Sequence, residues 1–224
     1  MIIGYYSIAN AVTLFGLISA VTSCFLAAHG NFKFAVYMLF LALICDMFDG
    51  KIARMNKNRT ESQKFYGVQL DSLCDVISFG VTPCFMAFSF GFNGVLDVII
   101  YLFFICCGAI RLAYFNTRAQ FSESSAASKT FRGLPIPTSV VTTVTLFMLT
   151  TFIPANITVW IFRFVFFGLG FLYILNIKIN KMNFKQGGIL LGILVVFLLV
   201  LVIAGDCKAP VSVKEIKDVV SAVA

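Results

Sequence analysis

The sequence has little charge and a single His. Charged residues make up 12% of its 224 residues, whereas hydrophobic residues make up 60% and include 26 Phe. So apolar a composition excludes an ordinary soluble domain of this length and is typical of several bilayer-spanning helices. We therefore predict an all-α integral membrane protein of the cell membrane.

Other signals are missing as well. The N-terminus has neither a positively charged segment nor a small-residue cleavage site, so we expect its first apolar stretch to be a retained span. Most of the seven Cys lie within apolar stretches, which indicates buried thiols and no extracellular disulfide framework. The net charge of +7 comes from Lys and Arg in short loops, which favours anionic membrane lipids over nucleic acid.

Long apolar runs predict seven spans, at about 8–28, 33–54, 68–90, 95–115, 138–153, 157–177 and 188–205. Basic residues follow the second, fourth and sixth spans: Lys51, Arg54, Lys57, Arg59, Lys64; Arg111, Arg118, Lys129, Arg132; Lys178, Lys181 and Lys185. By the positive-inside rule, these loops and the N-terminus face the cytoplasm. The tail, with a short amphipathic helix at 211–224, lies outside if the seventh run spans the membrane and inside if it does not.

Four carboxylates lie in or beside this apolar sequence. Asp46 and Asp49 are three residues apart at the end of the second span, and Asp71 and Asp75 are four apart near the start of the third. Residues at these spacings share one helix face. Because a charge in hydrocarbon costs at least about 2.5–3.5 kcal/mol, the cluster needs a function. We predict that two neighbouring helices direct all four carboxylates into one cavity open to the cytoplasm.

Asp side chains offer only oxygen ligands, which suit hard cations such as Mg²⁺ or Mn²⁺ better than zinc. Two ions that share bridging carboxylates stabilise the attacking and leaving oxygens during displacement at phosphorus. The cluster therefore predicts two divalent cations and chemistry at a phosphate group.

Small and basic residues accompany the carboxylates. Gly50, Ala53 and Gly67 leave room for a nucleotide against the helix backbones, and Lys51 and Arg54 supply positive charge for phosphates. The Gly and Ala residues also suit close helix–helix packing. Beside four carboxylates, we favour the nucleotide interpretation.

Ser7, Asn10 and Thr13 lie on one side of the first span. They either cap the helix and bond back to its carbonyl groups, or they contact a ligand. The sequence leaves both interpretations open.

The pattern D-x-x-D-G-x-x-A-R followed by G-x-x-x-D-x-x-x-D resembles the signature of the CDP-alcohol phosphotransferases. The matching residues are Asp46, Asp49, Gly50, Ala53, Arg54, Gly67, Asp71 and Asp75. The interval between Arg54 and Gly67 is longer than in the family pattern, and the additional residues fall in the polar loop 56–64.

The resemblance implies a six-helix membrane enzyme, commonly a homodimer, that transfers a phosphatidyl or archaetidyl group from CDP-diacylglycerol or CDP-archaeol to an alcohol, with release of CMP. Residues 1–177 would form the six-helix core, and residues 178–224 would add a cytoplasmic basic loop, one further span and the tail. Two divalent cations would be held by Asp46, Asp49, Asp71 and Asp75, and Asp75 would be the catalytic base. The residues expected to bind the CDP-linked lipid are Asn10, Asp49, Gly50, Lys51, Ala53, Arg54, Gly67 and Asp71.

Three further segments, 70–83, 111–116 and 131–137, resemble the phosphatidylserine synthase branch of this family. The acceptor implied is L-serine, and the residues expected near it are Ser78, Arg111, Asn116 and Arg118. Arg111 also has a simpler interpretation, as an anchor whose guanidinium reaches the membrane interface. No partner is predicted for Arg163 in the sixth span.

Two other functions fit parts of the pattern. A sister enzyme would use inositol phosphate or glycerol 3-phosphate as the acceptor. A divalent-cation transporter would also place acids in its spans, but it predicts acids spread toward the far side of the membrane. All four Asp lie at predicted cytoplasmic ends, and Asp97 alone begins a span on the outer side. We therefore favour the transferase.

Overall fold

The computed structural model describes residues 3–56, 58–121, 130–132, 136–150, 153, 155–175 and 178–180. Its helices are α1 (Ile8–Ala28), α2 (Phe32–Met55), α3 (Glu61–Asp75), a π-helical segment (Val76–Val81), α4 (Thr82–Ser89), α5 (Val95–Phe121), α6 (Thr138–Leu149) and α7 (Ala155–Ile174). Because α3, the π-helical segment and α4 follow one another without a break, the described part of the chain contains six helical rods. The six helices expected of the core are thus present in the described residues, whereas the extent of the core over residues 1–177 stays a prediction.

Four of these rods are long and apolar enough to cross a membrane by length and composition: Ile8–Ala28, Glu61–Ser89, Val95–Arg118 and Ile157–Ile174. Helix α2 is not among them, since charged residues lie at both of its ends. Many large apolar side chains point outward, such as Phe164, which is 72% exposed. Surfaces of this kind suit contact with lipid rather than water. The chain is therefore a multi-pass membrane protein.

Several predicted boundaries differ from those observed. The third rod begins at Glu61 rather than near 68, because Thr60 and Gln63 form a capping box with hydrogen bonds of 3.3 and 3.0 Å. Helix α5 continues to Phe121, beyond the predicted end at 115. The predicted seventh span at 188–205 and the tail helix at 211–224 lie outside the described residues.

The π-helical segment has an identifiable cause in Pro83. Pro83 has no N–H and cannot donate to the carbonyl of Phe79, four residues earlier. Ser139 Oγ, from α6, donates to that carbonyl instead at 2.7 Å. Thr82 Oγ1 also donates to the carbonyl of Ile77 at 3.1 Å, five residues earlier. The widened turn that results begins directly after Asp75 and therefore shapes the site described below.

An aromatic core ties the rods together at the end of the molecule where α2 begins. Ring centres of Phe32 and Phe90 are 4.8 Å apart, those of Phe90 and Phe147 are 5.0 Å apart, and those of Phe147 and Phe162 are 5.6 Å apart. All four side chains are buried. Asp49 lies 17 residues after Phe32 on the same helix, about 25 Å away at 1.5 Å per residue. The core and the carboxylates therefore occupy opposite ends of α2.

Arg163, for which the sequence predicted no partner, pairs with Asp97. Arg163 Nε lies 2.6 Å from Asp97 Oδ1, and Nη2 lies 3.0 Å from Oδ2. The N–H of Gly94 also donates to Asp97 Oδ2 at 3.0 Å, and the Asp97 side chain is buried. Asp97 is thus neutralised within the fold, in the first turn of α5 and away from the other four Asp.

One short strand pair departs from the all-α prediction. Strand β1 (Thr130–Arg132) pairs antiparallel with β2 (Lys178–Asn180), with Phe131 opposite Ile179. β1 follows α5 and β2 follows α7, so these two connections lie at the same end of the molecule. This arrangement agrees with the sequence prediction that both basic loops share one side of the membrane.

Candidate active site

Three polar side chains, Ser7, Asn10 and Thr13, lie at the start of α1. Ser7 is the helix cap, and its Oγ accepts a hydrogen bond of 3.2 Å from the Asn10 N–H. The Asn10 side chain is buried and donates to the carbonyl of Tyr5 at 2.7 Å. Thr13 Oγ1 donates to Asp49 Oδ2 at 2.6 Å. Ser7 thus caps the helix, whereas Thr13 both bonds back to the Ala9 carbonyl at 3.1 Å and contacts one of the predicted metal ligands.

The four carboxylates meet where the end of α2 faces the end of α3. One oxygen from each of Asp46, Asp49 and Asp71 lies within 4.8 Å of the other two. The Asp75 carboxyl group lies beside that of Asp46. The four side chains line a cavity of about 10 Å³, which admits about one water-sized sphere. The structure therefore brings together all four predicted metal ligands.

These carboxylates suit a divalent metal ion. Asp71 Oδ1 is buried and has no hydrogen-bond partner among the described residues. A buried acceptor without a partner is costly, and clustered carboxylates repel one another. A bound cation removes both costs, and an all-oxygen ligand set favours hard ions. The residues present therefore fit the predicted kind of metal.

A second pocket, of about 120 Å³, adjoins the carboxylates. Its lining residues come from α1, α2, α3 and the loop between α2 and α3: Ala9, Asn10, Thr13, Asp49, Gly50, Ala53, Arg59, Lys64, Gly67, Val68 and Asp71. Six of these were predicted to contact the CDP-linked lipid: Asn10, Asp49, Gly50, Ala53, Gly67 and Asp71. We call this space the donor pocket.

The other two predicted donor-binding residues, Lys51 and Arg54, do not line the donor pocket. The side chains of Lys51 and Arg54 are both exposed. Lys51 Nζ lies 5.3 Å from the centre of the Phe48 ring. The basic residues that do line the donor pocket are Arg59 and Lys64.

Two of the predicted acceptor-binding residues lie close to the carboxylates in structure. Ser78 lines the carboxylate cavity and belongs to the π-helical segment. Asn116 Nδ2, on α5, donates to Ser72 Oγ on α3 at 2.8 Å. This hydrogen bond fixes the far end of α5 against the helix that carries Asp71 and Asp75. Arg118, two residues later, is exposed.

Arg111 lines a different space, a pocket of about 270 Å³ between α5 and α7. The side chain is only 8% exposed, and its guanidinium carbon lies 4.7 Å from the Phe115 ring centre and 5.9 Å from that of Tyr173. Both distances are within cation–π range. The pocket is completed by Ile110, Tyr114, Ile174 and Leu175, so it shares no lining residue with the carboxylate cavity.

Sequence reasoning missed two contacts at the candidate site. The sequence identified Arg59 only as one of several basic residues in a loop. Nothing local in the sequence places it against Gly67. Thr13 was named, but its contact with Asp49 joins residues 36 positions apart. The three-residue spacing from Asn10 to Thr13 was the one available signal, since it put Thr13 on the polar side of α1.

A sequence profile of the CDP-alcohol phosphatidyltransferase family matches residues 6–204. The chain is 31% identical over 209 residues to a CDP-diacylglycerol–serine O-phosphatidyltransferase from Helicobacter pylori, a match that covers 91% of this chain and 84% of the relative. It is 44% identical over 109 residues to the Saccharomyces cerevisiae protein of that name, covering 47% of this chain and 38% of the yeast protein.

An archaeal protein is also similar. The chain is 31% identical over 152 residues to an archaetidylserine synthase from Methanothermobacter thermautotrophicus, which covers 67% of this chain and 61% of the relative. The matched share thus ranges from well under half of the yeast relative to most of the Helicobacter one.

Proposed function

The chain belongs to the CDP-alcohol phosphatidyltransferase family, and we propose that it transfers a phosphatidyl or archaetidyl group from a CDP-linked lipid to the hydroxyl of L-serine, with release of CMP. One observation carries the proposal: carboxylate oxygens of Asp46, Asp49 and Asp71 lie within 4.8 Å of one another beside the donor pocket. The candidate metal ligands and an open pocket lined by small and basic residues thus adjoin each other.

In this proposal the donor pocket receives the cytidine diphosphate part of the donor. Gly50 lacks a side chain and lets the nucleotide approach the backbone of α2, whereas the space beside Gly67 on α3 also holds the Arg59 guanidinium. Arg59 and Lys64 give the pocket positive charge, which suits phosphate oxygens. The lipid tails remain in the bilayer, because the pocket lies beside rods with apolar outer faces.

Asp46, Asp49, Asp71 and Asp75 would hold two divalent cations, Mg²⁺ or Mn²⁺. When bound, such ions neutralise phosphate charge and stabilise the oxygens that attack and leave phosphorus. Thr13 holds the Asp49 carboxylate in place through its 2.6 Å hydrogen bond. Partners of this kind fix the orientation of a ligand, and their removal commonly alters metal affinity by about 10–100-fold.

Asp75 acts as the base. The serine hydroxyl oxygen forms a bond to the lipid-side phosphorus, the bond from that phosphorus to the CMP oxygen breaks, and the hydroxyl proton passes to an Asp75 carboxylate oxygen. Asp75 is placed for this role because it lines the carboxylate cavity together with Ser78. A positioned base typically contributes about 10²–10⁴-fold to a rate.

We keep Ser78, Arg111, Asn116 and Arg118 as acceptor-binding residues. Ser78 has the strongest support, since it lines the same cavity as Asp75. A buried guanidinium such as that of Arg111 suits the serine carboxylate, and Arg111→Ala should then raise the KM for serine by about 10-fold or more with an unchanged KM for the donor. Equal changes in the KM values for serine and for the donor would argue for the anchoring interpretation of Arg111.

We further propose that the site faces the cytoplasm and that the protein is a homodimer. The basic residues Arg54, Arg59 and Lys64 lie at the same end as the carboxylates, which supports this orientation. A Cys introduced at the exposed Asn58 should react with a membrane-impermeant reagent in inside-out vesicles only. The mass of the detergent-solubilised protein tests the dimer, which rests on family resemblance.

The deciding experiment supplies purified protein with CDP-diacylglycerol or CDP-archaeol, a divalent cation and isotope-labelled L-serine. We expect serine-dependent CMP release and a labelled lipid product, both absent in Asp75→Asn protein. CMP release with inositol phosphate or glycerol 3-phosphate, but not with serine, would instead establish a sister enzyme.

A divalent-cation transporter is less well supported. Asp97 is paired with Arg163, so the described acids do not continue from the carboxylate cluster toward the other side. A metal flux assay in vesicles, with donor binding as a control for folded protein, should detect no transport.

A further inference from the structure

The loop between α2 and α3 brings Arg59 into the donor pocket, against a glycine. A Cβ atom at position 67 would lie 2.6 Å from Arg59 Nη2 and 3.7 Å from its guanidinium carbon. The first distance is too short for non-bonded atoms. The missing side chain at Gly67 therefore makes room for the Arg59 guanidinium, in addition to any room it leaves for a nucleotide.

The guanidinium has unused hydrogen-bonding capacity in this position. Nη2 donates to the carbonyl of Gln63 at 3.1 Å. Nε is buried and has no partner among the described residues. The ion pairs within the described part of the chain are Lys64–Glu61 and Arg163–Asp97, so Arg59 is not engaged with a carboxylate there. A guanidinium carries five N–H donors in a rigid fork, and most of them remain available here.

A purely structural role accounts for only part of this arrangement. The contact with Gln63 holds the loop against the first turn of α3, but it uses one donor. An Arg that only anchored the loop would extend its charged end into water. Here Nε is buried, and the side chain lines a pocket that Asp49 and Asp71 also line. Such a pocket, with a guanidinium on one wall and proposed metal ligands on another, fits an anion between them.

We propose that Arg59 binds the diphosphate of the CDP-linked donor through its guanidinium. This inference rests on the proposed function and adds a donor-binding residue that lies outside the sequence signature. It also gives the longer interval between Arg54 and Gly67 a role, because the additional loop residues carry Arg59 back over the face of α3. The guanidinium fork matches pairs of phosphate oxygens, which a Lys in the same place would contact as a point charge.

The test compares the affinities of purified protein for cytidine, CMP and CDP in the presence of Mg²⁺, by calorimetry. The variants are Arg59→Ala, Arg59→Lys and, as a control that removes one positive charge at the opposite end of α2, Lys33→Ala. We expect Arg59→Ala to weaken CDP binding ~10–100-fold, the range for loss of a charge-assisted hydrogen bond. Its cytidine affinity should stay unchanged, which also demonstrates a folded pocket. The CDP affinity of Arg59→Lys should lie between those of the wild type and Arg59→Ala, and Lys33→Ala should bind CDP as tightly as the wild type.

Steady-state assays add a second readout. Arg59→Ala should raise the KM for the CDP-linked lipid by a similar factor, with a smaller change in kcat and no change in the KM for serine. Equal losses of cytidine and CDP affinity would overturn the inference, because they would show that Arg59 maintains the shape of the pocket and does not bind the diphosphate. Unchanged CDP affinity in Arg59→Ala would overturn it too, as would wild-type protein that binds cytidine and CDP equally well.

These outcomes separate the inference from the proposed function. Arg59-dependent CDP binding in a protein that releases no CMP with serine would leave the inference standing and remove the serine acceptor. Normal serine-dependent turnover in Arg59→Ala, with a wild-type KM for the donor, would overturn the inference about Arg59 and leave the proposed function standing.

Discussion

Replacing Asp71 with Asn should stabilise the metal-free protein and weaken its response to divalent cations. The carboxylate oxygens of Asp46, Asp49 and Asp71 lie within 4.8 Å of one another. At an effective dielectric constant of about 20, two unit charges at that distance repel by about 3.5 kcal/mol. Asp71 takes part in two of the three pairs, so the substitution relieves up to about 7 kcal/mol. Asn keeps the shape of the side chain and an oxygen at its end.

Even a fifth of that relief, about 1.4 kcal/mol, would raise the thermal midpoint of a chain of this length by about 3–6 °C. Added divalent cations should favour the wild type over the variant. A metal present at about 100 times its Kd stabilises the folded wild type by about 2.7 kcal/mol. The Asp71→Asn protein, which has lost one ligand, should gain much less. With a relief of about 1.4 kcal/mol, the two proteins should exchange their order of stability when metal is added; with a relief above about 2.7 kcal/mol, the variant should stay more stable but by a smaller margin.

The assay is thermal unfolding of detergent-solubilised protein with a chelator and with Mn²⁺ or Mg²⁺. The matched control is Asp97→Asn, the same chemical change in a buried carboxylate that pairs with Arg163 at 2.6 Å. This control should lower the midpoint in both conditions, because it leaves the half-buried Arg163 guanidinium without its carboxylate partner. A lower midpoint for Asp71→Asn in chelator, or equal metal responses of wild type and variant, would refute a cation site at the cluster.

Three further substitutions test the site. Asp75→Asn should abolish CMP release and keep CDP binding; near-normal turnover would show that Asp75 is not the base. Thr13→Val removes the 2.6 Å hydrogen bond to Asp49 and should weaken Mn²⁺ binding ~10-fold in a titration, whereas Thr13→Ser should not; equal affinities of both variants would contradict the role of the hydroxyl. Gly67→Ala should displace Arg59, since a Cβ there meets Nη2 at 2.6 Å. The double variant Gly67→Ala, Arg59→Ala should then bind CDP no more weakly than Arg59→Ala alone, and a further loss on combining the two would indicate direct contact of the nucleotide with position 67.

The helical core and the carboxylate cluster were predictable from sequence because both depend on local periodicity. Apolar runs long enough to span a bilayer identified the rods, and spacings of three and four residues put each pair of Asp on one helix face. Boundaries were less predictable. Helix α3 begins early because Thr60 and Gln63 cap it, a pattern that the search for apolar runs passed over.

The basic residues of the donor pocket illustrate a different limit. Lys51 and Arg54 follow the Asp pair directly in sequence, so they were natural candidates for the phosphates. In the structure neither lines the donor pocket, and the charge there comes from Arg59 and Lys64. Which side chain of a basic segment turns inward depends on the path of the loop, and a count of charges does not reveal that path.

The sequence by itself thus determined the kind of protein, the helix faces that carry carboxylates, and the resemblance to a family of lipid transferases. Only the tertiary structure decided which helices meet and in what register. It joined Thr13 to Asp49, set Arg59 against Gly67, and paired Arg163 with Asp97 across 66 positions. The physical reason is that a helix face follows from the helical repeat of about 3.6 residues alone, whereas contacts between helices depend on how whole rods rotate and slide to bury their side chains.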